Sequence, residues 1–191
     1  AALHGMGLFG LYAGDPASSE AVSPENLGNP WAEIYPGGEQ IYAHNLWDLQ
    51  AFKGRIYLGG GNSSNKGPAQ NAGPVAILAL DPASGQVVRE GQVDEEQIDH
   101  YRVFDDQLFI PGHDPTQSWK LGNFHRREED GAWRKVRTIP EALHTYDLAW
   151  HQGAMFAGLG TKKGAAVAVS GDGGESWQLQ QPARNQIYTF L

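Results

Sequence analysis

Histidine, aspartate and arginine recur at matching places in this chain, beside short apolar runs. His44 and Asp48 precede or enter the run 46–52, His100 and Arg102 lie in 98–104, and His144 and Asp147 border 146–150. His113 and Asp114 follow another run. Imidazoles and carboxylates that converge from separate strands can bind a divalent metal or move protons on a ligand. Hydrogen bonding between neighbouring strands around a wet channel uses the same residue types, so a structural role stands beside the binding role. The chain has no cysteine, which excludes disulfides and thiolate metal sites. The glycine-rich stretches 59–61 and 171–174 lead into neither Gly-Lys-Ser/Thr nor a helix pattern, so neither is a phosphate loop.

The elements that must position these residues are short strands. Residues 146–150 form an apolar run, Gln152-Gly153 a tight turn, 154–158 a second run, 165–169 a third and 177–181 a fourth. Four short strands with turn signals between them describe one blade of a β-propeller. The unit recurs at a spacing of about 40–50 residues, the range of propeller blades. Runs 46–52, 98–104, 146–150 and 187–191 are the innermost-strand candidates. Aligning the turns that follow puts Asp48, His100 and Asp147 at one equivalent place, with Thr189 as the fourth. Lys53-Gly54, Asp105-Asp106 and Gln152-Gly153 precede second strands in which Ile56/Tyr57, Leu108/Phe109 and Met155/Phe156 fall in register. Outer strands are expected at 76–80 and 86–89, at 123–127 and 133–137, and at 165–169 and 178–181, joined by Asp- and Gly-containing turns.

The expected fold is therefore all-β: a single β-propeller domain over 1–191, built of about four four-stranded antiparallel blades. The repeats fall at 1–40 plus 185–191, 41–92, 93–139 and 140–184. In this arrangement 7–14, 20–23 and 31–35 supply the second to fourth strands of a blade whose first strand is 187–191. Such sharing closes the ring and removes its sheet edges. A portion of a larger propeller and a dimer of two open halves are the alternatives. Segments 93–103 and 139–150 also carry apolar residues at helical spacing, but the repeat favours strands there.

A formal charge of −8 argues against nucleic acid or an anionic membrane surface as partner. No apolar run approaches the roughly 20 residues that span a bilayer. Six Trp, seven Tyr and seven Phe supply the apolar area that a folded core needs. The chain opens Ala-Ala-Leu-His, without Met or a signal-like segment, as expected of a protein freed of its leader or of a piece of a longer one. Export to the extracellular space, periplasm or cell surface is expected from the repeat type.

Ser170-Gly-Asp172-Gly-Gly174-Glu-Ser176-Trp177 matches Ser/Thr-x-Asp-x-Gly-x-Ser/Thr-aromatic. This stretch resembles the Asp box of the BNR/Asp-box β-propellers, the superfamily that includes sialidases and sortilin-type receptors. Asp130-Gly131-Ala-Trp133 and Gly28-Asn-Pro-Trp31 look like eroded copies, while Asp81-Pro-Ala-Ser-Gly85 is closer to the turn of quinoprotein-like propellers. The resemblance implies a structural turn between outer strands, away from the ligand face. Its aspartate accepts backbone N–H bonds and its Trp packs beneath the hairpin.

Sialidases, by the same resemblance, use three arginines on a carboxylate, a Tyr/Glu nucleophile pair, an Asp acid/base and a Phe/Tyr-Arg-Ile-Pro stretch. Phe109-Ile110-Pro111 lacks the arginine, and Arg102 alone lies in an inner-strand segment. The expectation is a non-catalytic binding or scaffold module that engages a protein or glycan on the axial face. His44, Asp48, His100, Arg102, His113, Asp114, His144 and Asp147 would form that face, with a divalent metal as the candidate cofactor. A sialidase-like glycoside hydrolase using Asp48, His100 or Asp147 as acid/base groups is the alternative. A closed ring implies a monomer.

Overall fold

The computed structural model describes residues 45–61, 75–112, 121–183 and 187–190. Among these residues there are twelve strands and no helix. The first sheet comprises β1 (Asn45–Phe52), β2 (Arg55–Gly61), β3 (Val75–Leu80) and β4 (Val87–Val93). The second comprises β5 (Arg102–Phe104), β6 (Gln107–Pro111), β7 (Leu121–Arg127) and β8 (Trp133–Pro140). The third comprises β9 (Ala142–His151), β10 (Ala154–Thr161), β11 (Gly164–Ser170) and β12 (Gln178–Ala183). Each is an antiparallel meander in which chain order and spatial order coincide.

The first hairpin of each sheet shows why. Lys53-Gly54 (φ 46° and 77°) and Gln152-Gly153 (φ 49° and 80°) are two-residue turns with both residues left-handed. That geometry matches the right-handed twist of the flanking strands, and the second position favours glycine. Asp105-Asp106 makes the same turn without glycine, at φ 53° and 54°, since Asp is among the few side chains that enter this region readily.

Strand alternation places Tyr57, Ile77 and Ala79 on one face of the first sheet and Leu58, Ala76 and Leu78 on the other. The Tyr57 face forms a core with Ile98, Tyr101, Leu108, Ile110 and Trp133 of the next unit. Phe109, Phe124, Val136 and Ile139 on the far face of the second sheet pack against Leu148, Met155, Ala157 and Leu159 of the third. β3 reads as a continuous apolar run because both of its faces are buried.

The strands outrun the apolar runs that mark them. Bulges at Leu46/Asp48, Gly158/Leu159 and Gly160/Thr161 shift the parity, so alternation breaks while pairing continues. One expectation needs correction: 98–104 is not an inner strand throughout. Only Arg102–Phe104 pairs with β6, whereas 98–101 lies across the end of the first sheet. There the Ile98 N–H donates to the Gly60 carbonyl at 2.8 Å. A backbone held by the preceding sheet does not also pair within its own. Segments 93–103 and 139–150 hold strands, bridges, bends and a turn at Glu141, not helix, despite their apolar spacing.

Candidate functional site

Of the sequence-predicted polar residues, Arg102 and Asp147 meet directly, joined by Thr189. The Asp147 side chain is fully buried in β9 and receives five donors. Arg102 of β5 grips it from the second sheet, Nε to Oδ1 at 2.7 Å and Nη2 to Oδ2 at 3.0 Å. The backbone N–H of Leu148 donates to Oδ1 at 2.8 Å. Thr189 Oγ1 at 3.0 Å and the Phe190 N–H at 2.7 Å donate to Oδ2. Its carboxylate raises the Arg102 pKa through these hydrogen bonds, overcoming the opposing effect of burial. Asp147 thus joins the second sheet, the third sheet and the segment 187–190. With both oxygens engaged, the carboxylate has no lone pair presented to a substrate proton or a cation.

Asp48 repeats part of this pattern. Its Oδ2 accepts the Tyr101 N–H at 2.7 Å, as Asp147 accepts that of Phe190. Both aspartates face a glycine on the adjacent strand, Gly59 and Gly158. A Cβ on Gly59 would lie 2.7 Å from the Ile98 carbonyl oxygen, and one on Gly158 would lie 3.2 Å from that of Ile187. Close backbone approach at the sheet-to-sheet crossing therefore requires glycine. His144 stacks on Tyr146 (5.2 Å, 26°), which meets Tyr188 in turn (4.6 Å). His100 is half-buried in the 98–101 lead-in. His44, His113 and Asp114 lie outside the described residues. Among the described residues no group of three or more His, Asp or Glu side chains is arranged to hold a metal.

Residues 170–177 fold into a closed hydrogen-bonded turn between β11 and β12. Asp172 Oδ1 accepts the Ser176 N–H at 2.9 Å, the Glu175 N–H at 3.1 Å and the Ser170 hydroxyl at 2.7 Å. The Ser176 hydroxyl donates to Oδ2 at 2.5 Å. The Ser176 bonds, followed by those of Ser170 and Glu175, hold the Asp172 carboxyl well below the usual carboxylate range. Gly174 lies against the Phe124 ring at a left-handed φ of 95°, and its carbonyl accepts the indole N–H of Trp177 at 3.0 Å. The same indole N–H reaches Thr138 Oγ1 of the second sheet at 3.0 Å, with the ring edge-on to Phe124. Trp133, after the Asp130-Gly131 turn, likewise leans back on Tyr57 of the preceding unit, and on Tyr101 of the lead-in to its own. Each tryptophan is a buttress between sheets.

Two polar groups were not visible in the sequence. Glu90 of β4 accepts Arg127 Nε at 2.9 Å, Arg55 Nη1 at 2.6 Å and the Tyr57 hydroxyl at 3.0 Å. Burial pushes the Glu90 carboxyl up, but the hydrogen bonds from Arg127 and Tyr57 and the two guanidinium charges bring it below its ordinary value. Burial, reinforced by Glu90, pushes the Tyr57 hydroxyl up to about 12. A Tyr/Glu pair flanked by two arginines is thus present. In the second group, Glu95 is buried against Asn123 Nδ2 (2.6 Å) and His125 Nε2 (3.1 Å). Glu90 and Glu95 stand in the polar stretches 89–92 and 94–97, which read as ordinary surface and carried no signal of either cluster. A polar cleft of about 330 Å³ opens between the β1–β2 and β5–β6 hairpins, lined by Lys53, Asp105, Asp106, Arg127, Glu128 and Glu129. An exposed Lys53–Asp106 ion pair at 2.9 Å links those hairpins.

Fold and site together define an all-β protein of packed four-stranded sheets whose inner polar residues bond sheet to sheet. Compared with known proteins, the chain matches no family model and no curated protein. No helix among the described residues is long and apolar enough to cross a membrane.

Proposed function

We propose that the three sheets are consecutive blades of a β-propeller of the Asp-box type, and that the chain is a non-catalytic binding or scaffold module. In this reading it acts outside the cytoplasm and presents a protein or glycan partner with the face where the inner strands begin. The saturation of Asp147 carries the reading. A general acid or base needs a lone pair or proton directed at its substrate, whereas Asp147 spends both oxygens on Arg102, Thr189 and backbone N–H groups. Asp48 is engaged by the Tyr101 backbone. Function on such a scaffold concentrates on the loops it carries. In this reading the partner is met at the connections from β2 to β3 and from β6 to β7.

The test pairs turnover with binding. A panel of chromogenic glycosides should show no hydrolysis above the blank, while arrayed glycans or peptides should yield a ligand whose affinity falls when His100 is replaced by Ala. Hydrolysis that drops 100-fold or more in a folded Asp147→Asn variant would assign catalysis to this carboxylate and overturn the reading.

A further inference from the structure

Around Glu95, three polar atoms are buried without a hydrogen bond: Lys135 Nζ, Asn123 Oδ1 and Glu95 Oε2. The lysine is the unusual member. Lysine ordinarily lays its stem on apolar surface and keeps its ammonium in water. Lys135 does the reverse: its side chain is 21% exposed, yet Nζ is shut away from solvent. Asp94 Oδ2 at 3.6 Å and Glu95 Oε1 at 3.9 Å stand near it, beyond hydrogen-bond reach.

Strand pairing brings this amine and an amide to one place. His125 of β7 pairs with Lys135 of β8, so their side chains share a face of the second sheet. Asn123, two residues before His125, lies on that face too. Glu95, in the connection from β4 to β5, closes over them. Its Oε1 accepts the Asn123 Nδ2–H at 2.6 Å and meets His125 Nε2 at 3.1 Å. One carboxylate oxygen is thus the neighbour of both the Lys135 amine and the Asn123 amide nitrogen. Asn123 and Glu95 are fully buried, and Gly112 packs so closely on the Asn123 carboxamide that a Cβ there would overlap it. Water, the competing nucleophile, is kept from the amide carbon.

We propose that Lys135 and Asn123 join covalently, through an amide bond between Nζ and Cγ that staples β8 to β7, with Glu95 as the proton carrier. The Lys135 ammonium gives a proton to Glu95 Oε1. The freed amine, on its flexible four-carbon stem, advances to within about 3–3.5 Å of Cγ, the separation that attack requires. Its lone pair forms the Nζ–Cγ bond while the carbonyl electrons move to Oδ1. Glu95 passes its proton to Nδ2, the carbonyl re-forms, and the Cγ–Nδ2 bond breaks with its electron pair on nitrogen. The departing ammonia takes the surplus proton from Nζ and leaves as ammonium, so nothing is oxidised or reduced and Glu95 is restored as a carboxylate. The step replaces a buried ammonium that lacks a hydrogen bond by a neutral amide. It also gives a chain without cysteine a covalent tie that no disulfide could supply.

Mass spectrometry of the wild-type chain, folded and then denatured, tests this without any variant. The chain should weigh less than its sequence by one ammonia. A digest should hold residues 123 and 135 in one branched fragment, with Lys135 neither cleaved by trypsin nor labelled by an amine reagent after unfolding. A chain of full mass with a labelled Lys135 overturns the proposal. So does a loss of water, which would place the bond on the Glu95 or Asp94 carboxyl. An asparagine also sheds ammonia by closing on its own backbone, with no lysine involved, and Lys135→Met separates the two routes. That variant should recover the full mass; a persisting loss of ammonia overturns the proposal. Glu95→Gln keeps the side chain's shape and removes its proton transfer. In freshly refolded protein it should form the bond about 100-fold more slowly than the wild type, and an unchanged rate would overturn the role given to Glu95.

Discussion

Replacing Asp147 by Asn tests whether the inner-strand carboxylates hold the sheets together or serve a ligand. The substitution preserves shape and leaves an oxygen for the Phe190 or Leu148 N–H. It removes the charge that pairs with Arg102 and places an amide group where donors converge. Breaking a buried ion pair by losing one partner costs about 3–5 kcal/mol. Arg102 remains 30% exposed at its side chain, so water recovers part of its solvation, and a loss of about 2–4 kcal/mol is expected. For a chain of this size each kcal/mol shifts the melting temperature by about 2–4 °C, so Asp147→Asn should melt about 5–15 °C lower. Thermal and urea unfolding, with Arg102→Met and the double variant completing a cycle, would read the coupling directly. A coupling of about 1.5–3 kcal/mol is expected for a bidentate contact of this kind. Unchanged or increased stability in Asp147→Asn would refute the reasoning. That result is the mark of a carboxylate kept for function at the expense of stability.

Trp177→Phe keeps the ring against Phe124 but deletes the indole N–H that bonds Thr138 and the Gly174 carbonyl; it should destabilise by about 1–2 kcal/mol in chemical unfolding. Tyr57 gives a pH signature: its folded-state pKa of about 12 lies above the ordinary 10.0, so between these values the unfolded chain releases a proton that the folded one keeps. Stability from this group is therefore complete below pH 10 and lost as pH rises towards 12, on the order of 2 kcal/mol. Urea midpoints across that range should fall in the wild type and fall less in Tyr57→Phe.

The three sheets were legible because their signals are local. A left-handed turn pair such as Gln152-Gly153, followed by an apolar-aromatic pair such as Met155/Phe156, states its structure within six residues, and the repeat multiplies the evidence. The bonds between sheets were legible only as places. Alignment put Asp48, His100 and Asp147 at one position, but position does not fix partner. At two of the three, a carboxylate accepts the backbone N–H of the following unit, Tyr101 or Phe190. In the second sheet that position holds His100, and the Leu148 N–H of the next unit turns instead to the neighbouring carboxylate of Asp147. The link is made two residues later by Arg102, whose counterparts in the repeat, Gln50 and Ala149, carry no charge. A cation reaching forward to a carboxylate joins adjacent sheets as well as a carboxylate receiving an N–H does, so the repeat conserves the crossing and leaves its chemistry free. The same freedom explains why the scattered His and Asp residues resemble a catalytic constellation in sequence. Polarity is required wherever two sheets cross near water, and only the donors around Asp147 reveal that the requirement there is already met by the fold.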